Sequence, residues 1–260
     1  PRAPLRNGAA LPRFSSDGYC PVRALANIPE AIRHPWGLSL PGSWPDVHGP
    51  HLTFRRQRIF RQTATMVPSL PPSKPALRDA ALKARRAYAQ SLTPEVRQAL
   101  EAALADIVLP RLIGAKIVSA YHPLRDEISP YPILEKLGPG QRVALPWFAD
   151  RDARMIWREA PANEPSPWGV LQPSATADGL APDLVLVPLV AADRNCTRIG
   201  HGKGHYDRAI AHLRAGNPRL ITIGLAWDTQ ILDDPIPGDP WDEPLDAIAT
   251  PKEWIQCRKK

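Results

Sequence analysis

The sequence predicts an α/β fold, a mostly parallel sheet with helices on both faces in a Rossmann-like three-layer arrangement over residues 66–260, preceded by a disordered extension over residues 1–65. Three observations lead there. From residue 114 onward, apolar segments of strand length alternate with segments of helical period, the pattern of a sheet covered on both sides. One of these, "DLVLVPLVA" (183–191), is nearly continuous in branched aliphatics, as a central strand buried on both faces requires. Composition also changes abruptly. Residues 1–65 hold nine prolines, nine arginines, no lysine and three acids, a net charge of +6, whereas residues 66–260 hold 24 basic and 23 acidic side chains.

Proline- and arginine-rich chain cannot bury enough apolar surface to offset its ordering entropy, so residues 1–65 are read as an extension. Its one compact cluster is "FRRQRIFRQ" (54–62). Met66 stands just before the first orderly segment and is the expected translation start; the intact mass of the native protein tests this. Order begins at Ser73, a good N-cap. Leu77, Ala81, Ala84 and Tyr88 then form a stripe of helical period. Thr93-Pro94 opens a second helix, with proline at its first position, running to about residue 112. Strands are expected at 115–121, 142–146, 153–159, 183–191, 219–226 and 247–250. Helices are expected at 129–138 and 205–215, and 161–182 reads as a proline-rich loop.

Several classes fall away. No run approaches the roughly 18 consecutive apolar residues of a membrane span. Cys20, Cys196 and Cys257 are few, odd in number and far apart, without a CxxC pair or a disulfide framework, which fits a reducing cytoplasm. The basic charge belongs to the extension, so the domain itself carries no nucleic-acid footprint.

The chemistry concentrates in "RIGHGKGHYDRA" (198–209), between the most buried strand and a helix. Ligands of open α/β sheets bind at the carboxyl ends of strands, and a helix N-terminus offers free N–H groups to an anion. Gly200, Gly202 and Gly204 let the backbone approach a phosphate, with Lys203 and Arg198 supplying charge. The spacing is neither that of a Walker A loop nor that of the dinucleotide fingerprint. Asp207 beside such a loop reads either as a first-turn acid complementing the helix dipole or as a ligand of Mg²⁺, which typically takes one or two carboxylates plus phosphate oxygens. Asp233, Asp234, Asp239, Asp242 or Asp246 could share that ion. Lys74 and Arg78 lie one turn apart and project from one helix face. Glu127, in "YHPLRDEIS" (121–129), sits at another strand end, where it could accept hydrogen bonds from a ring N–H or amino group.

Over residues 74–252 this order of features resembles the 5-formyltetrahydrofolate cyclo-ligase family. The resemblance is carried by Lys74 and Arg78, Asp126-Glu127-Ile128, Pro146, Gly169, Gln172-Pro173, "DLVLVP", "RIGHGKGHYDR", "GLAWDTQ" and Asp242, Asp246 and Thr250. It implies an enzyme dependent on ATP and Mg²⁺ that converts 5-formyltetrahydrofolate to 5,10-methenyltetrahydrofolate. ATP would phosphorylate the formyl oxygen, and N10 would attack the activated carbon. By the same resemblance Lys74, Arg78, Arg198 and the loop Gly200, His201, Gly202, Lys203, Gly204, His205 and Tyr206 bind ATP. Lys203 and Arg198 are the catalytic pair. Glu127 and the residues from His201 to His205 face the folate, and Asp207 and Asp242 hold the metal. The family usually has tyrosine where His205 stands, Glu-Pro where Gln172-Pro173 stands, and phenylalanine where Ala192 stands, a change expected to open the pocket. Two other readings stay open: a cyclo-ligase-like ATP-binding protein acting on another small molecule, and a nucleic-acid-binding protein using the arginine-rich extension.

Overall fold

The computed structural model describes residues 73–257. The extension expected at 1–65, and with it the nucleic-acid reading, lies outside the described residues. Two helices come first, α1 (Lys74–Ser91) and α2 (Pro94–Val108). Thr93 caps α2 by accepting from the Val96 N–H. The second helix stops four residues short of the expected end, because Pro110 has no N–H to continue it and a 3₁₀ turn, Leu109–Arg111, closes it instead.

The sheet-forming part follows: β1 (Ile117–Ser119), α3 (Tyr131–Leu134), β2 (Arg142–Trp147), β3 (Ile156–Glu159), β4 (Ala162–Pro165), β5 (Leu171–Pro173), β6 (Leu184–Pro188), β7 (Ala191–Asp193), β8 (Arg198–Ile199), α4 (His205–Gly216), β9 (Ile221–Leu225), β10 (Ile231–Leu232), β11 (Ala247–Ala249) and β12 (Trp254–Gln256). Seven of these strands form the main sheet in the order β12-β11-β9-β6-β1-β2-β3. The inner five pair in parallel, and both edge strands run antiparallel.

β6 lies at the centre, as its composition predicts, and its period-2 alternation divides the core. Leu184 and Leu186 join Leu104, Ala105 and Val108 of α2 on one face. Val185 and Val187 join Ala209 and Ile210 of α4 on the other. Each such fully buried aliphatic is worth about 1.5–3 kcal/mol relative to exposure. α1 packs Leu77 and Ala81 over Val190, Ala191 and Ile199, beside the loop that leads into α4.

The differences from expectation have local causes. The helix expected at 129–138 shrinks to one turn, α3, since Pro130 and Pro132 remove N–H donors and Gly138-Pro139 ends the segment. The strand expected at 183–191 ends at Pro188, and the chain then crosses to a small sheet of order β10-β7-β8. The loop expected at 161–182 contains the β4–β5 hairpin. β12 was not expected from its short apolar pattern. Cys196 and Cys257 form a disulfide with Cα atoms 5.7 Å apart, so the cysteines no longer point to a reducing compartment. Their sequence separation of 61 conceals that the turn after β7 lies beside the end of β12. Among the described residues no helix is long and apolar enough to cross a membrane.

Candidate active site

The strand order reverses between β1 and β6: from β1 the chain proceeds outward to β2 and β3, and from β6 it proceeds the other way to β9 and β11. The loops leaving the carboxyl ends of β1 and β6 therefore diverge, and a crevice opens between them. It holds a cavity of about 930 Å³. Lys74, Arg78, Glu127, Arg198, every residue from Gly200 to Asp207, and Asp242 all line it, as does Asp239, whereas the other acids considered as metal ligands, Asp233, Asp234 and Asp246, are not among the lining residues.

One side is charged. The Lys74 ammonium, delivered by the first turn of α1, donates to Asp239 Oδ2 at 2.7 Å and to Asp242 Oδ2. Burial alone would lower its pKa, but the hydrogen bonds and charges of these two aspartates prevail and hold it above the usual lysine value. Asp242 Oδ2 also accepts from the Asp239 N–H at 2.7 Å. Arg198, the first residue of the buried β8, pairs with Asp207 in the first turn of α4 and donates to the Glu243 carbonyl. Burial pulls the Arg198 pKa down, opposed by the charges of Asp207 and Asp242. Arg78 Nε donates to the Gly200 carbonyl at 2.8 Å, tying α1 to the loop.

Two glycines are required by the backbone. Gly202 adopts φ +87°, and a Cβ there would stand 3.3 Å from the Arg78 guanidinium carbon. Gly204, the N-cap of α4, adopts φ +63°, a left-handed conformation that glycine takes without steric cost. The first N–H groups of α4 have no partner within the helix and open on the same space.

The opposite side is aromatic. Phe148, just past β2, and Trp168, in the β4–β5 turn, enclose His205 with ring centroids 4.9 and 5.4 Å away. Arg208 lies 3.3 Å from His205 Nδ1, while His205 Nε2 and Trp168 Nε1 are buried without a hydrogen-bond partner. Burial, then the charges of Arg208 and Lys203, lower the His205 pKa. The Lys203 ammonium stands 5.9 Å over the Trp168 ring, at the boundary between the two sides. Met155, Leu145 and Val170 complete the apolar lining.

Glu127 closes the floor. It is 5% exposed, accepts from the Leu124 N–H at 2.9 Å, and lies 3.4 Å from Arg85 Nη1 and 3.5 Å from His201 Nε2. Arg85, buried on α1, also donates to Asp126 and to the Leu189 carbonyl, both at 3.0 Å. Tyr121 and Tyr206 flank this floor, and burial followed by the Glu127 charge raises both phenol pKa values, keeping them neutral donors.

Sequence reasoning missed Arg85, although it lies seven residues beyond Arg78 and so continues the Lys74/Arg78 face by two turns. Phe148 and Met155 were missed because each sits where a core residue would, and Trp168 because it stands in the segment read as a proline-rich loop. Ala192 is fully buried in β7 and is not among the lining residues, so the expectation that it opens the pocket is not met.

Comparison with known proteins agrees with this architecture. Residues 71–251 match the model of the 5-formyltetrahydrofolate cyclo-ligase family. A 5-formyltetrahydrofolate cyclo-ligase of Mycolicibacterium smegmatis is 30% identical over 201 residues, covering 71% of this chain and 97% of the relative. One from Escherichia coli K12 is 29% identical, covering 64% of this chain and 96% of the relative. The NMR structure of 5,10-methenyltetrahydrofolate synthetase from Aquifex aeolicus superposes with a TM-score of 0.59 at 25% identity, covering 72% of this chain and 94% of that one. The chain belongs to the 5-formyltetrahydrofolate cyclo-ligase family.

Proposed function

We propose that the protein converts 5-formyltetrahydrofolate to 5,10-methenyltetrahydrofolate at the expense of ATP, with nucleotide phosphates on the charged side of the cavity and the pterin on the aromatic side. The observation that carries this reading is the division of one cavity into an anion cradle and an aromatic wall that meet at the Gly200–Tyr206 loop. Phosphoryl transfer needs chiefly positioning and charge neutralisation, and calls for no protein nucleophile. Lys74, Arg78, Arg198 and Lys203 supply the cations, and the N-terminus of α4 supplies N–H groups.

The donor set fits Mg²⁺ bound together with phosphate. Among the described residues no three His, Cys, Asp or Glu side chains converge as a metal cage, whereas Asp207 in the first turn of α4 and Asp242 in the loop before β11, both lining the cavity, match the one or two carboxylates Mg²⁺ takes beside phosphate oxygens. Such an ion neutralises charge on the phosphates during transfer. Asp207 and Asp242 would release Arg198 and Lys74 to the phosphates as they take up the metal. Glu127, fixed by Arg85 and the Leu124 N–H, orients the substrate through its ring N–H groups.

The test is the absorbance of methenyltetrahydrofolate formed from 5-formyltetrahydrofolate. Product is expected only when ATP and Mg²⁺ are both added. A folded protein that binds ATP yet yields no product above blank would contradict the reaction and favour another small-molecule substrate.

A further inference from the structure

Gln172, on β5, is 7% exposed, and both ends of its amide are committed to one residue. The Phe148 N–H donates to Gln172 Oε1 at 3.0 Å, and Gln172 Nε2 donates to the Phe148 carbonyl at 3.2 Å. The β2–β3 ladder ends with Trp147 opposite Ile156, so Phe148 is the first residue beyond it. The side-chain amide continues the ladder by one rung, in the manner of a peptide group from a further strand. The backbone fixes which end is which, since a peptide N–H can only donate and a carbonyl can only accept. The ring of Phe148 is thereby held 4.9 Å from His205 and 6.4 Å from Trp168, centroid to centroid. Both Gln172 and Phe148 line the cavity.

We propose that Gln172 is a positioning residue: its paired hydrogen bonds to the Phe148 backbone fix the aromatic wall against which the organic substrate packs. The proposal rests on the reading that the aromatic side takes the pterin. Making both bonds at once takes a side chain with an acceptor and a donor side by side. Leucine would leave a buried N–H and a buried carbonyl unpaired. An ionised glutamate would keep the acceptor but face the Phe148 carbonyl with negative charge; a protonated one would keep both bonds. Burial raises a carboxyl pKa, so in Gln172→Glu the clamp holds at low pH and is lost as pH rises through that raised value. The native amide does not titrate.

The test compares the wild-type full chain with Gln172→Leu and Gln172→Glu in steady-state kinetics across pH, alongside hydrogen exchange of protein labelled with ¹⁵N-phenylalanine. Gln172→Leu is expected to raise the KM for 5-formyltetrahydrofolate about tenfold, the equivalent of one lost hydrogen bond, while the KM for ATP and kcat change less than about threefold. Gln172→Glu is expected to match the wild type in acid and to approach Gln172→Leu in alkali. The Phe148 amide is expected to exchange faster in Gln172→Leu than in the wild type. Should Gln172→Leu fail to fold, the pH profile of Gln172→Glu relative to that of the wild type decides. An unchanged folate KM in Gln172→Leu, or a Gln172→Glu profile parallel to the wild type, would overturn the proposal. If the wild type gives no product, the reaction assignment falls separately and the amide decides: unequal exchange rates support the clamp, and equal rates overturn it.

Discussion

On the charged side of the cavity, the cations and carboxylates satisfy one another: Lys74 with Asp239 and Asp242, and Arg198 with Asp207. On the aromatic side, Phe148, Trp168 and His205 meet edge to face, and two ring nitrogens are left unpaired. The first arrangement is a set of counter-ions that compensate one another, and under the proposed function phosphate and a divalent cation would exchange into it. The second is a shape, set by backbone positions such as that of Phe148. Damage to one side should therefore disturb charge and turnover, and damage to the other should disturb fit.

The largest effect is expected from Arg198→Ala. Loss of one preorganised donor to the phosphates should lower kcat by roughly 10²–10³-fold. Leaving Asp207 without its partner should also destabilise the fold, by an amount short of the roughly 3–5 kcal/mol of a fully buried pair, since Asp207 is partly exposed. Chemical denaturation and initial rates measure the two separately. Next in size is Cys257→Ser. The disulfide ties the turn just before Arg198 to the end of β12, and opening a closed loop of this length should cost about 2–4 kcal/mol. A melting temperature insensitive to reductant in the wild type would argue against the bond.

Trp168→Ala removes the stacking surface beside His205 and should raise the folate KM about tenfold while sparing the nucleotide, in line with about 1–3 kcal/mol per aromatic stack. The smallest effect concerns pH. The folded pKa of His205 lies below its ordinary value, so the unfolded chain binds the proton more readily. Its contribution is present in full above the ordinary histidine value and is lost as pH falls through the folded value. His205→Gln should therefore flatten the acid limb of stability relative to the wild type, as read by melting temperature against pH.

The same contrast explains what was legible in the sequence. The charged side is encoded locally. "RIGHGKGHYDRA" carries Arg198, the glycines and Asp207 in one stretch, and Lys74 and Arg78 share a helix turn, so residue type and spacing sufficed. β6 was legible too, because a strand buried on both faces needs an unbroken apolar run. The aromatic side is assembled from the end of β2, the β4–β5 turn and a buried glutamine on β5. Each of these residues looks like ordinary core or loop until the sheet order places them together. The parallel interior of the sheet could be read from alternation, and β3 was legible as a strand, but its antiparallel direction, the edge strand β12 and the small β10-β7-β8 sheet could not be read. The very short β8, β10 and β12 carry too little pattern of their own, and prolines such as Pro188 redirect the chain by removing a donor rather than by any periodic signal. The disulfide was hidden for the same reason, since proximity across 61 residues is a property of topology.

The division of the cavity is tested most directly by measuring KM for both substrates in Arg78→Ala and Trp168→Ala under the methenyltetrahydrofolate assay. Arg78→Ala should raise the KM for ATP about tenfold, the equivalent of one charge-assisted hydrogen bond, with the folate KM nearly unchanged; Trp168→Ala should do the reverse. Equal changes in both constants for both variants would contradict two separate subsites.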